Sequence, residues 1–150
     1  MNIYADTSFF IAYHKTGDAL HNQALALDAA YNEHDWLWCA LHTIEVFITI
    51  RGLVNTPARL PYPLAQSMIG RIEQMLQAGA YQRVDFPWQE SLKQTARVSE
   101  AHGWMRKFGP FDTWHVGAAL ALRVDYFVTF DRPQGTLADQ AGLRVIGLKD

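Results

Sequence analysis

Five short apolar runs, set apart by longer stretches of helical periodicity, restrict the fold of this chain more than any other feature. The runs are Ile3-Tyr4-Ala5, Trp36–Ala40, Tyr81–Phe86, Tyr126–Thr129 and Leu143–Ile146. Their length and apolar content fit strands, Tyr81–Phe86 by alternation of apolar and polar residues rather than as a continuous run. Between them, residues 18–33 place Leu20, Ala24, Leu27 and Tyr31 on one helical face. Residues 42–53 form a strongly apolar helix ending at Gly52 or shortly after, and the stretch from Asn55 to Pro63 is a turn-rich connection. Residues 64–78 bring Leu64, Met68, Ile72, Met75 and Leu76 into phase, with Gly79 as the stop. Residues 88–102 and 112–123 supply two further helices. Strands alternating with helices call for a parallel sheet covered on both faces, an α/β fold.

With 150 residues and 49% apolar content the chain can bury a proper core, and it shows no linker or internal repeat. One domain spanning 1–150 is the expectation. No run of about 18 uncharged apolar residues is present, so no membrane association is expected. Met1–Asp6 lacks the basic and apolar regions of a signal peptide. Cys39 is the only cysteine, which rules out an internal disulfide or a zinc–thiolate cluster and suits the cytoplasm. The net charge of −2 argues against a protein held on nucleic acid by charge alone. It leaves room for a nuclease that brings metal ions to the phosphate, and for a partner that supplies positive surface.

Four acids stand at strand ends or in the first turns of helices. Asp6 follows the first strand, and Asp131 lies just beyond the Tyr126–Thr129 strand. Asp112 opens the helix feeding that strand, and Glu45 lies one turn into the helix after Trp36–Ala40. In an open parallel sheet, ligands bind beyond the carboxyl ends of the strands, so all four belong to one rim. Taken singly, each has a plainer reading. Asp6 and Asp112 suit helix caps, and Asp131-Arg132-Pro133 is a common turn opening. His42, Glu45, Thr49 and Gly52 share a stripe that fits a solvated helix face. Taken together, the four require a cation. Two carboxylates about 4 Å apart repel by roughly 4 kcal/mol at an effective dielectric near 20. All-oxygen ligands suit Mg²⁺ or Mn²⁺, and such an ion can activate water and stabilise a leaving oxygen in phosphodiester hydrolysis.

Asp6-Thr7-Ser8-Phe9-Phe10-Ile11-Ala12, Glu45 in its apolar helix, Phe111–Leu122 and Phe127-Val128-Thr129-Phe130-Asp131 together resemble the PIN-domain ribonucleases. Their order and spacing resemble the VapC toxins of toxin–antitoxin pairs, over essentially the whole chain. The resemblance implies a three-layer α/β/α domain that cuts RNA with Mg²⁺ or Mn²⁺, with Asp6, Glu45, Asp112 and Asp131 as the metal-site and catalytic residues. It further implies a homodimer and a small antitoxin, which would dock on the helical pair at 42–53 and 64–78 and cover the site. Trp114 and His115 stand where that pattern often has small or aliphatic residues.

Around these acids, Thr7, Ser8, His115 and Thr129 are candidates to support the site. Capping, packing and strand-end roles account for them equally. Arg106 and Lys107, in a Gly-flanked loop before Asp112, are candidate phosphate contacts. The tryptophans offer base-stacking faces, although Trp36 and Trp38 fit strand packing better. A phosphoacceptor receiver domain would need an acidic neighbour beside Asp6, and a haloacid-type phosphatase would need an acid where Ser8 stands. No glycine-rich phosphate loop is present. The competing function is a PIN-like scaffold that binds RNA or protein without cutting.

Overall fold

The computed structural model describes residues 1–57, 59–104 and 106–148. In chain order the elements are β1 (Asn2–Ala5), α1 (Thr7–His14), α2 (His21–Ala30), β2 (Asp35–Trp38), α3 (Ala40–Leu53) and α4 (Tyr62–Gln77). They continue with β3 (Tyr81–Arg83), α5 (Trp88–His102), α6 (Pro110–Leu122), β4 (Tyr126–Val128), α7 (Arg132–Gln140) and β5 (Val145–Ile146). The strands pair in parallel in the order β3-β2-β1-β4-β5. Ile3 is in register with both Trp36 and Tyr126, which fixes β1 at the centre. The strand order reverses between β1 and β4, so their carboxyl ends flank the crevice where such sheets bind ligands.

The period-2 alternation of β1 divides the core. Ile3 and Ala5 join Phe9, Trp36, Val46, Met68 and Ile72 on one face of the sheet. Tyr4 points the other way and packs with Phe127, Val98, Val116 and Leu137. Helices α1, α2 and α4 cover the first face, and α5, α6 and α7 cover the second. This is the expected three-layer α/β/α architecture around a parallel sheet.

Several boundaries differ from expectation for identifiable reasons. β3 stops at Arg83, because β2 ends at Trp38 and its carbonyl accepts a last hydrogen bond from Val84 N at 3.0 Å. Gly79 ends the turn after α4 with φ +75°, a conformation that favours glycine. A helix over Arg132–Gln140 is not among the expected elements. It forms because Asp131 caps it, accepting from Gln134 N at 2.8 Å, with Pro133 in the first turn and Leu137 and Ala138 buried. The turn-opening reading of Asp131-Arg132-Pro133 gives way to a helix start. The stripe of His42, Glu45 and Thr49 is not a solvated face either, since His42 is fully buried.

Helices α5 and α6 run side by side in the same direction. Ser91 meets Trp114 and Thr95 meets Gly117, a nearly constant offset along both. Both therefore start at the rim formed by the carboxyl ends of the strands. The close approach depends on Gly117, where a Cβ would stand 2.7 Å from Thr95 N and 2.8 Å from its Cα. In a helix interior Gly→Ala normally gains up to about 1 kcal/mol, whereas overpacking costs about 1–3 kcal/mol. Gly117→Ala is expected to lower Tm in a circular dichroism melt. An unchanged or higher Tm would show that the two helices do not rely on this contact.

Candidate active site

Asp6 follows β1 directly and begins α1. Its backbone N–H donates to Val128 O at 2.9 Å, which ties it to the end of β4. The side chain accepts from Phe9 N at 3.2 Å as the helix cap, from Ser8 Oγ at 2.6 Å and from Thr129 Oγ1 at 2.8 Å. Only 4% of the residue is exposed. Burial pushes its carboxyl up to about 6, although the Ser8 hydroxyl, the nearby His115, Thr129 and the Phe9 amide all pull the other way. Desolvation wins.

Glu45 reaches the same rim from α3, after β2. One of its oxygens, Oε2, accepts from both Thr7 Oγ1 and His115 Nε2. Burial raises this carboxyl, but the hydrogen bond and charge of His115, joined by the Thr7 hydroxyl, hold it below its ordinary value. His115 is itself buried, and its Nδ1 lies 2.7 Å from the Tyr4 hydroxyl. Nε2 faces Glu45 and Nδ1 faces the Tyr4 hydroxyl, so the two contacts together fix the ring. Beneath them His42 bridges strands, bonding Ala5 O through Nε2 at 2.8 Å and accepting from Cys39 N through Nδ1 at 3.0 Å. Burial, with His115 adding to it, lowers His42 to about 3, so it stays neutral at neutral pH. A chain of buried rings thus runs under the rim and fixes Glu45 from below.

Asp112 sits in the first turn of α6, against Gly109. A Cβ at Gly109 would lie 2.6 Å from Asp112 Oδ2, so only glycine lets the carboxylate lean back there. Burial raises the Asp112 carboxyl, and the charges of Asp131 and Glu45 raise it further. Asp112 therefore lies within reach of both of those charges. Gln134, 1% exposed, links their elements: its backbone N donates to Asp131 Oδ1, its Nε2 donates to Asp112 O at 3.2 Å, and its Oε1 lies 3.1 Å from Thr129 Oγ1. Thr129 Oγ1 also accepts from Asp131 N at 2.9 Å, and Ser8 Oγ accepts from Phe130 N at 3.0 Å.

The structure thus brings Asp6, Glu45, Asp112 and Asp131 to one rim, with Thr7, Ser8, His115 and Thr129 bonded to one or another of the acids or their backbone. Each carboxylate has donors from its own chain. Among the described residues no three His, Cys, Asp or Glu side chains stand close enough to form a ready-made metal cage. The donor chemistry still fits a hard divalent cation, being all oxygen, and the mutual charge that raises Asp112 is what a cation would relieve. Arg106 and Lys107 are exposed and line a small recess of about 180 Å³ with Phe108 and Thr113, beside the α6 start. Tyr4, His42 and Gln134 were not anticipated. The alternation of β1 marked Tyr4 as facing away from Ile3, but nothing local marked its partner 111 residues away.

The sequence profile of the PIN domain family matches residues 3–139. No curated protein matches the chain in sequence. Among solved structures, VapC20 of Mycobacterium tuberculosis, a sarcin–ricin-loop-cleaving toxin, superposes with a TM-score of 0.69 at 17% identity, covering 99% of both chains. VapBC2 of Rickettsia felis, bound to a promoter DNA fragment, gives 0.67 at 12% identity over 99% of this chain and 100% of the other. DNA-bound VapBC of Salmonella typhimurium gives 0.65 at 14% identity over 98% of each. At these identities the likeness concerns the fold.

The buried Asp6 generates a pH-dependent stability. Its carboxyl rises from 3.8 to about 6 on folding, so the native state holds the proton more tightly than the unfolded chain. Protonated Asp6 therefore favours folding, and stability is lost as pH climbs from about 4 to 6, by roughly 3 kcal/mol. Asn keeps the helix cap. In EDTA, Asp6→Asn is expected to be more stable than the parent at pH 7.5, with the advantage vanishing toward pH 4. A difference that stays flat across that range in urea titrations would contradict a costly buried charge.

Proposed function

We propose that this chain, which belongs to the PIN domain family, is a metal-dependent endoribonuclease and the toxin partner of a VapBC-type pair. One observation supports the reading: Asp6, Glu45, Asp112 and Asp131 stand on separate segments that start at the carboxyl rim of a parallel sheet, and the charges of Asp131 and Glu45 raise Asp112. Asp6, Glu45, Asp112 and Asp131 are the residues that would hold Mg²⁺ or Mn²⁺. When bound, the ion supplies positive charge for the phosphodiester and its leaving oxygen.

The remaining work belongs to side chains of the protein. His115 and Thr7 hold Glu45 in one orientation, and Tyr4 fixes the His115 ring. Ser8 and Thr129 hold both oxygens of Asp6. Such support fixes the orientation of Glu45 and Asp6, and metal sites rely on a second layer of this kind. Arg106 and Lys107 suit contacts to RNA phosphates.

The antitoxin would dock where α3 and α4 leave apolar side chains exposed. Ile48 is 63% exposed, Tyr62 62% and Leu64 52%, and a groove of about 590 Å³ runs between the helices along Arg51, Tyr62, Gln66 and Ile69. The VapBC assemblies in the neighbouring structures support such a partner. A homodimer, a single domain over 1–150 and a cytoplasmic location complete the proposal. The lone buried thiol of Cys39 supports the last of these, and among the described residues no helix is long and apolar enough to cross a membrane.

The test is cleavage of mixed RNAs with Mg²⁺, with EDTA and Asp6→Asn as controls. Asp112→Asn is expected to lower cleavage roughly 100-fold or more, with metal-free stability kept or raised because one repelling charge is gone. Absence of any cleavage by a folded parent that binds metal would favour the non-cutting scaffold. A steep fall in metal-free Tm on Asp112→Asn would mark Asp112 as a structural cap.

A further inference from the structure

A cavity of about 510 Å³ opens at the opposite end of the sheet from the acids. Asp6 caps the start of α1 and His14 ends that helix, a rise of about 12 Å away. Ala80, which precedes β3, is part of the cavity wall, so the wall reaches the amino end of that strand. The volume is that of a small-molecule site. Its lining has two halves. Leu25, Met75, Ala78 and Ala80 are apolar, whereas His14, His21 and Arg71 bring nitrogens. Arg71 is held in place: one terminal nitrogen donates to Ser67 Oγ at 2.9 Å and the other to the His14 carbonyl. Both acceptors are neutral, and among the described residues no carboxylate pairs with this guanidinium. Nearby acids are turned elsewhere. Asp28 accepts from the Tyr13 hydroxyl at 3.1 Å, Asp18 pairs with Lys15 at 3.5 Å, and Glu73 lines the groove between α3 and α4. His21 Nδ1 donates to Ala12 O at 2.8 Å, which leaves Nε2 without a protein partner among the described residues. His14 is 2% exposed, with Nε2 2.9 Å from the Tyr81 hydroxyl. Burial, then the charges of Arg71 and His21, lower it to about 3, so a neutral wall stands under positive potential.

We propose that this cavity binds a small organic anion, with its carboxylate or phosphate head on Arg71 and His21 and its apolar body against Leu25, Met75 and Ala78. The site is separate from the acids and does not depend on the nuclease reading. Charge complementarity argues for this occupant. A guanidinium fixed by two neutral acceptors keeps its full charge and has further N–H donors to offer, in a planar fork that matches two oxygens of one head group. A cleft lined by one sign of charge also concentrates ions of the other. The apolar half sets the rest of the ligand. A bare inorganic ion leaves Leu25, 42% exposed, in contact with water, whereas a ring or short alkyl chain covers it.

The probes are phenyl phosphate, inorganic phosphate and benzyl alcohol, titrated into the metal-free full chain and followed by amide chemical shifts, which locate what binds. Phenyl phosphate is expected to shift Thr16, His21 and Arg71, and to bind about tenfold or more tightly than either other probe, each of which offers half of the match. Arg71→Gln is expected to weaken it about tenfold or more. Ala78 follows α4 and is exposed, so Ala78→Phe fills the cavity from the surface and is expected to abolish binding with the fold kept. That second variant decides the matter if Arg71→Gln disturbs the chain at His14. Undiminished binding in either folded variant overturns the proposal, as does absence of phenyl phosphate binding by the parent. Equal affinity for inorganic phosphate or for benzyl alcohol overturns it too, the first by removing the apolar half and the second by removing the charge. Shifts confined to residues 106–109 put the phosphate beside α6 instead, and the proposal fails. It fails equally if a short acidic peptide shifts the cavity amides while phenyl phosphate does not, since the occupant is then a protein segment. None of these readings involves RNA cleavage, so the fate of the nuclease is decided separately.

Discussion

A parallel strand cannot pair with its successor through a tight turn; the chain must cross back over the sheet each time. Every strand therefore delivers its carboxyl end to one side, and every following helix starts there. With β1 in the centre, this requirement places Asp6 and Asp131 on either side of the crevice and directs α3 and α6 toward it from above and below. Like charges from distant segments become neighbours as a by-product of how the sheet is connected. The rest of the site consists of hydroxyls, imidazoles and one amide that hold those charges in place.

That support is arranged by depth. At the bottom, the Tyr4, His42 and His115 rings are buried and bonded to one another's neighbourhood through backbone or side-chain atoms. Above them, Glu45 and Asp6 are each held by two or more donors. Nearest to solvent, Asp112 and Asp131 open their helices and are joined by Gln134. Burial thus decreases outward, from the fully buried rings to the exposed Asp131.

Much of the fold was legible because its signals are local. The five apolar runs, the helical phase of Leu64 to Leu76 and the glycine at 79 each announce an element within a few residues. The family motifs placed Asp6, Asp112 and Asp131 by the same local logic. What escaped depends on tertiary contact. Helix α7 is short, contains Gly135 and carries few apolar side chains, so its stability comes from Leu137 and Ala138 meeting the second core. His42 looked like part of a wet stripe because its periodicity with Glu45 and Thr49 is real, but the helix turns His42 in against the carboxyl end of the central strand. The role of Tyr4 is set by a partner more than a hundred residues away, and no pattern along the chain encodes such a meeting.

The two helices that start at the same side of the sheet carry a consequence for how such a domain can diversify. In the stretch before α6, Phe108 packs on the second core and Gly109 makes room for Asp112, whereas Arg106 and Lys107 are exposed. Substitutions at 106 and 107 can therefore change the charge beside the α6 start without disturbing the packed layers. New preferences can then be acquired at the doorway while the machinery behind it is inherited intact.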